Sequence, residues 1–235
     1  MEEYNLQEIR IEDYNSIKEY YQMRRPETAD SNILDLYIWL NCYPTWYFTN
    51  DKGLMWVAKS EDGQYYSSIP CCKDEDLKEC FLETQKYFNE VLQKKLVMYV
   101  VDKAAVDLLQ LPEDEYVVVP DRTYADYVYD AEKLRTFSGK KYHKKKNHLN
   151  AFKREYEGRY EFKFLSKKDE PEILAFLEDW KKHKSDTEEH EFIDSEAVGI
   201  KYILEHEEVF DYKIGAVYVD NKLEAFTIGN YESRE

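Results

Sequence analysis

Between residues 133 and 154 nine lysines and arginines occur without a single acid. The segment reads Lys133-Leu134-Arg135-Thr136-Phe137-Ser138-Gly139-Lys140-Lys141-Tyr142-His143-Lys144-Lys145-Lys146-Asn147-His148-Leu149-Asn150-Ala151-Phe152-Lys153-Arg154. Removing nine positive charges from a chain of net −16 leaves −25 on the remainder, so the basicity is local. Cations at this density suit phosphate: a phosphate-bearing small molecule, a CoA tail or a nucleic-acid backbone. Tyr142, Leu149, Phe152 and Tyr156 recur at helical spacing, which predicts an amphipathic helix over 139–156, capped by Ser138. On that helix Lys141, Lys145 and His148 fall beside the apolar stripe, and Lys140, Lys144 and Asn147 face solvent. The stripe side is expected to line a cleft between two subdomains. Lys140 and Lys141 would crowd a first turn where the helix dipole disfavours cations. The candidate anion or donor site is therefore Lys140, Lys141, Lys144, Lys145 and His148. The plainer reading is a solvated face whose lysine stems lie along the protein surface.

Other reactive side chains form weaker patterns. His183 and His190 flank an acidic run, Asp186-Thr187-Glu188-Glu189, but their spacing matches no HExxH or similar ligand set, so no metal is assigned. A general base could be Glu188, Glu191, His183 or Glu224, and the sequence selects none of them. Cys42, Cys71, Cys72 and Cys80 contain no CxxC pair and read as reduced thiols.

The scaffold has 235 residues, room for one large domain or two small ones. With 43% hydrophobic and 16% aromatic residues, including 22 tyrosines, it carries too much core-forming material to be disordered. No apolar run is long enough to span a membrane, and the first residues lack the basic and apolar regions of a signal peptide. The expectation is a soluble, cytoplasmic protein.

Alternation predicts a strand at Ile9–Ile11 and helices after Asp13 and after Asp30-Ser31. A hairpin follows, Thr45–Phe48 and Leu54–Val57 about the turn Asn50-Asp51-Lys52-Gly53. Further strands are expected at 65–69, 96–101, 116–119 and 127–129, with helices at 75–93 and 104–109. From residue 160 the order begins again. A strand at 160–165 leads to a helix opened by Pro171, a helix capped by Asp194, and a hairpin of 214–219 and 223–228. Helices interleaved with mixed sheet indicate an α/β or α+β layered fold. The second copy stops after its first hairpin. An open sheet edge near Thr227-Ile228 would then favour a homodimer.

Asp126-Tyr127-Val128-Tyr129-Asp130-Ala131-Glu132-Lys133-Leu134 and the basic block 138–152 resemble the central region of bacterial proteins related to the C-terminal domain of phosphatidylglycerol lysyltransferases. Ile33-Leu34-Asp35-Leu36-Tyr37-Ile38-Trp39 is similar to that family's second-helix segment. The resemblance spans nearly the whole chain. It implies tandem GNAT-like acyltransferase domains, the second incomplete at the C-terminus: residues 1–130, a basic linking helix at 131–156, and 157–235. It also implies acyl-CoA or aminoacyl-tRNA as donor, with no firm cofactor, and tRNA or a phosphate-bearing small molecule as partner. The GNAT donor loop would correspond to Ser67-Ser68-Ile69-Pro70-Cys71-Cys72-Lys73, which lacks its glycines. The resulting expectation is an acyl- or aminoacyl-transferase homologue, either active or an inactive relative. Against it stand a non-catalytic anion- or RNA-binding module using 139–156, and a purely structural interaction domain.

Overall fold

The computed structural model describes residues 4–24, 28–183 and 187–231, without the side chains of 187–192. The chain parts into two compact units, and neither is continuous. Unit 1 comprises 1–125 and 186–210; unit 2 comprises 126–185 and 211–235. These differ from the expected segments 1–130, 131–156 and 157–235, because 186–210 returns to the first unit.

In unit 1, β1 (Gln7–Glu8) precedes α1 (Tyr14–Tyr21) and α2 (Ile33–Trp39). Asn32, one residue past the expected cap, receives the Leu34 amide at 2.8 Å. The hairpin of β2 (Thr45–Thr49) and β3 (Gly53–Lys59) forms with Tyr47 opposite Trp56. Its turn is held by Asn50 Oδ1, which accepts from the Lys52 and Gly53 amides. β4 (Tyr65–Tyr66) and β5 (Cys71–Cys72) pair antiparallel with β3.

This sheet has two different faces. Met55 and Val57 point into a core with Leu77, Phe81 and Phe88, supplied by α3 (Leu77–Lys86) and the π-helical turn that follows at Tyr87–Val91. Ala105 and Leu109 of α4 (Lys103–Leu109) complete that core. Trp56 and Ala58 alternate to the other face, toward α1 and α2.

Several expected strands do not form. Residues 96–101 contribute one parallel bridge, Ser67 to Met98, and Val100 then turns to φ +56°. At 116–119 and 127–129 no ladder is made. Val117 and Tyr127 are each 89% exposed, so their β-propensity finds no sheet to pack on.

In unit 2, α5 (Ala131–Thr136), which periodicity missed, is capped by Asp130. Gly139 at φ +90° replaces Ser138 as the cap of a 3₁₀ turn, Lys140–Tyr142, and α6 follows at His143–Glu155. β6 (Tyr160–Leu165) leads to α7 (Glu170–Lys182), which opens with Pro171. β7 (Lys213–Val219) and β8 (Lys222–Gly229) complete an antiparallel sheet in the order β6-β7-β8. Asp220 and Asn221, both at positive φ, make the two-residue turn between them.

Preceding β7 in the chain, α8 (Thr187–Glu205) starts upstream of the expected cap and encloses Asp194. It belongs to unit 1, where it lies on α2. Tyr37 stacks parallel to Tyr202 and meets Phe210 edge-on at 5.2 Å. The helices approach so closely at Gly199 that a Cβ there would stand 2.0 Å from the Ile38 carbonyl oxygen. Gly199→Ala is therefore expected to cost about 3 kcal/mol or more, lowering the melting temperature by roughly 6–12 °C. Gly229→Ala, whose Cβ would meet nothing within 4 Å, should leave the melt unchanged in the same calorimetric comparison.

Candidate functional site

Within unit 1, between α1, α2 and the Trp56–Ala58 face of the sheet, lies a cavity of about 600 Å³. That is a typical size for a small-molecule site. The amphipathic pattern of α2 explains one wall. Ile33, Leu34 and Tyr37 are buried, which leaves Asp35, Leu36 and Trp39 to line the opening. Asp35 and Trp39 are one turn apart, and the indole N–H donates to Asp35 Oδ1 at 3.1 Å.

Eight of the 23 described lining residues are aromatic. Tyr20 and Tyr21 come from α1, Trp39 from the end of α2, Tyr43 from the connection that follows it, and Trp56 and Tyr66 from the sheet. Tyr21 approaches Trp56 at 5.9 Å, and Tyr66 meets Tyr99 edge-on at 5.3 Å. Tyr99 is brought there by the bridge at Ser67: the Ser67 amide donates to Val97 O, and the Tyr99 amide donates to Ser67 O. Val100, next along the wall, is β-branched yet held in the left-handed region, a conformation that needs support from its surroundings.

Two residues further on, Asp102 forms a buried ion pair. Arg24, at the cavity edge, donates from Nη2 to both oxygens of Asp102, at 2.7 and 2.5 Å, and its Nε lies 3.3 Å from Asp74. Both members of the Arg24–Asp102 pair are nearly sealed from solvent, at 7% and 2% side-chain exposure. Asp102 Oδ1 also caps α4 by accepting the Ala105 amide. The guanidinium is thus committed to acids of the protein itself.

The remaining polar groups are mild. Burial pushes the Cys71 thiol up to about 12, with Arg24 opposing only in part. Burial also pushes Tyr66 up to about 12, helped by the neighbouring phenols of Tyr43 and Tyr99. The Ser60 hydroxyl and then the Gln64 amide, donating to Asp62, hold that carboxyl below its usual range and keep it ionised. Neither Cys71 nor Tyr66 is an activated nucleophile. No described group of three or more His, Cys, Asp and Glu is arranged to hold a metal.

The residues singled out by sequence lie elsewhere, in unit 2. Lys140, Lys141, Lys144, Lys145 and His148 are all exposed, and only Tyr142 is buried, with Leu149 and Phe152 partly so. The expected division between docked Lys141, Lys145 and His148 and solvent-facing Lys140, Lys144 and Asn147 is not seen. The 3₁₀ turn changes the phase ahead of α6, and Lys145 reaches out to place Nζ 5.4 Å from the centre of the Tyr129 ring. Asn147, Asn150, Lys153 and Arg154 line a surface recess on the same helix. Of the candidate bases, Glu188 and Glu191 lie outside the described side chains. Glu224 is exposed beside Lys222, and His183 donates Nδ1–H to the Asp179 carbonyl. His190 also lies outside the described side chains, and the four cysteines are free.

Comparison with known proteins gives three findings. The model of a family described as phosphatidylglycerol lysyltransferase, C-terminal, matches residues 22–233. A conserved protein of unknown function from Bacteroides thetaiotaomicron has the same fold, with a TM-score of 0.84 at 24% identity, covering 97% of this chain and 75% of that one. An uncharacterised protein of Mycoplasmoides gallisepticum is 28% identical over 100 residues, which is 43% of this chain and 32% of that protein. The match thus spans about a third of that relative's length. No described helix is long and apolar enough to cross a membrane.

Asp102→Ala, which takes from the buried Arg24 its closer acid and leaves it only the exposed Asp74, and which uncaps α4, should cost about 3 kcal/mol in urea unfolding. The thiol of Cys71 is protonated at about pH 8, so iodoacetamide should alkylate it about a thousandfold more slowly than an ordinary cysteine. Peptide mapping reads the site, and the rate should rise about tenfold per pH unit up to about pH 11.

Proposed function

Because the chain belongs to the family of phosphatidylglycerol lysyltransferase C-terminal domains, we propose that it is a GNAT-type acyl- or aminoacyl-transferase homologue, of tandem-domain descent, that engages an aminoacyl-tRNA. The observation that carries this reading is the exposed, acid-free run of seven cations between Lys140 and Arg154, through the 3₁₀ turn and α6. A tRNA offers many phosphates at once, and each one neutralised releases counterions. The strongly acidic remainder of the protein repels RNA elsewhere and directs it to this strip.

In such a transfer an amine nitrogen attacks the ester carbonyl of the donor, a C–N bond forms, and the C–O bond to the tRNA breaks as the amine proton is lost. The protein's part is to position the two and to stabilise the oxyanion. Acyl-CoA is the weaker candidate as donor. The segment 67–73 leads to Asp74, Glu75 and Asp76, a 3₁₀ turn directly before α3, where three acids oppose the entry of a diphosphate. That same observation favours, as a second reading, a module that binds RNA or another polyanion through 139–156 without catalysing transfer.

A gel shift with bulk tRNA, followed across salt, tests the shared step. Lys144, Lys145 and Lys146 changed together to Ala should reduce the slope of log K against log salt by roughly two, at about 0.7 for each phosphate no longer neutralised. Transfer of label from charged tRNA to an amine acceptor separates the two readings: a transferase moves it, and a binding module retards the tRNA and moves nothing. No retardation at low salt would remove both.

A further inference from the structure

We propose that Tyr127 and Tyr129 form a stacking platform for an unpaired nucleobase of the RNA that α6 engages. This inference rests on the reading of α6 as a tRNA-binding strip. It adds which part of the RNA meets the protein: bases outside a duplex, held by their flat faces.

Three observations lead to it, all within unit 2. The first is exposure. Tyr127 is 89% exposed and Tyr129 40%, with Val128 between them also exposed. A phenol ring left in water as fully as that of Tyr127 contributes almost nothing to folding, because an aromatic side chain stabilises through burial. Its faces are open to a ligand.

The second is the way the rings are mounted. Those of Tyr127 and Tyr129 are nearly parallel, with planes 14° apart and centres separated by 6.4 Å. Tyr129 leans on Tyr142 at 6.5 Å, and Phe137 meets Tyr142 edge-on at 6.2 Å. Tyr142 is buried at the end of the 3₁₀ turn that leads into α6. Directly after Tyr129, the Asp130 side chain accepts the Lys133 amide at 2.9 Å and caps α5, which fixes the course of the chain. The inner ring is thus anchored and the outer ring projects. A base joins such a series as its next member, and every base has a π-face, so the contact tolerates any sequence.

The third is charge. Lys145 places Nζ 5.4 Å from the centre of the Tyr129 ring, so the cationic strip reaches the platform itself. The acids around the ring pair are engaged within the protein: Asp130 with Lys133 at 3.4 Å, Glu132 with Arg135 at 2.6 Å, and Asp126 as well. In a nucleotide one sugar joins base to phosphate, so a strand whose phosphates follow the lysines carries its bases past the rings. An apolar protein partner would use Tyr127 and Val128 and gain nothing from the lysines beside them. Duplex RNA would use the lysines, but its bases are already stacked inside the helix.

Fluorescence anisotropy on the full chain tests the platform, with labelled oligoadenylate and a blunt RNA duplex of equal phosphate number as probes. Tyr127→Leu removes the ring and keeps an apolar side chain at a site so exposed that the melting temperature should not change. It should bind oligoadenylate at least about fivefold more weakly than the wild type. The slope of log K against log salt should stay the same, since no charge is altered. Tyr127→Trp, which retains a ring, should bind at least as tightly as the wild type. Val128→Ala, and Tyr127→Leu on the duplex, should match it. Intact tRNA should show the Tyr127→Leu loss too. If the loss disappears when the unpaired 3′ nucleotides are trimmed away, that end stacks on the rings; if it persists, a loop base does. Full oligoadenylate affinity in Tyr127→Leu would overturn the platform, and wild-type retardation of tRNA would show that the reading of α6 still stands. An equal loss on the duplex, in Val128→Ala or in Tyr127→Trp would also overturn it, since apolar contact rather than stacking would then be at work. Failure of the wild type to bind any RNA at low salt would remove the platform together with the reading beneath it.

Discussion

The approach of α8 to α2, backbone against backbone at Gly199 and Ile38, is the constraint on which unit 1 depends. A helix of seven residues such as α2 has little stability of its own and takes its position from what covers it. Here one side is covered by α8, where Tyr37 meets Tyr202 and Phe210, and Phe210 in turn meets Tyr14 of α1. With that side fixed, Asp35, Leu36 and Trp39 are aimed the other way and form the cavity wall. Only glycine allows the separation, because any side chain at 199 would occupy the space of a carbonyl group. The geometry of the cavity therefore rests on a residue that does not line it.

Electrostatics divides the molecule by location. Acids dominate the chain as a whole, and in unit 1 they take up the buried Arg24. Cations gather in one stretch, where they remain in water: no lysine of 140–146 is buried. Burying so many like charges would carry a desolvation cost that the neighbouring rings could not offset, so α6 rests on Tyr142, Leu149 and Phe152 and displays the rest.

Much of the architecture is legible because its signals are local. Asn50 to Gly53 and Asp220-Asn221 mark their hairpins, Pro171 the start of α7, and alternation separates Met55 and Val57 from Trp56 and Ala58. The strands expected at 96–101, 116–119 and 127–129 fail for the opposite reason: Val and Tyr runs become strands only where a neighbouring strand receives them. Membership of 186–210 in unit 1 is hidden, since the helical period of α8 does not say which partner its apolar face finds. The basic stretch is visible as charge, but its facing is set by a 3₁₀ turn ahead of the α-helix, which residue spacing does not reveal. The cavity has no continuous signature, its residues being dispersed from Tyr20 to Tyr124. The one local hint is Asp35 with Trp39, a polar pair one turn apart on a helix whose other side is apolar.

The return of 186–210 to unit 1 bears on how the chain is made. Residues 38 and 199 must meet, yet a ribosome adding about 5–20 residues per second releases them roughly 8–30 s apart. During that interval the sheet and the α3 core can assemble from contiguous sequence, while α2 lacks its cover. Unit 2's segment 126–185 emerges in between, so the second unit begins to form before the first is closed. Assembly of the two units is thereby interleaved in time, and the cavity is among the last features to take shape.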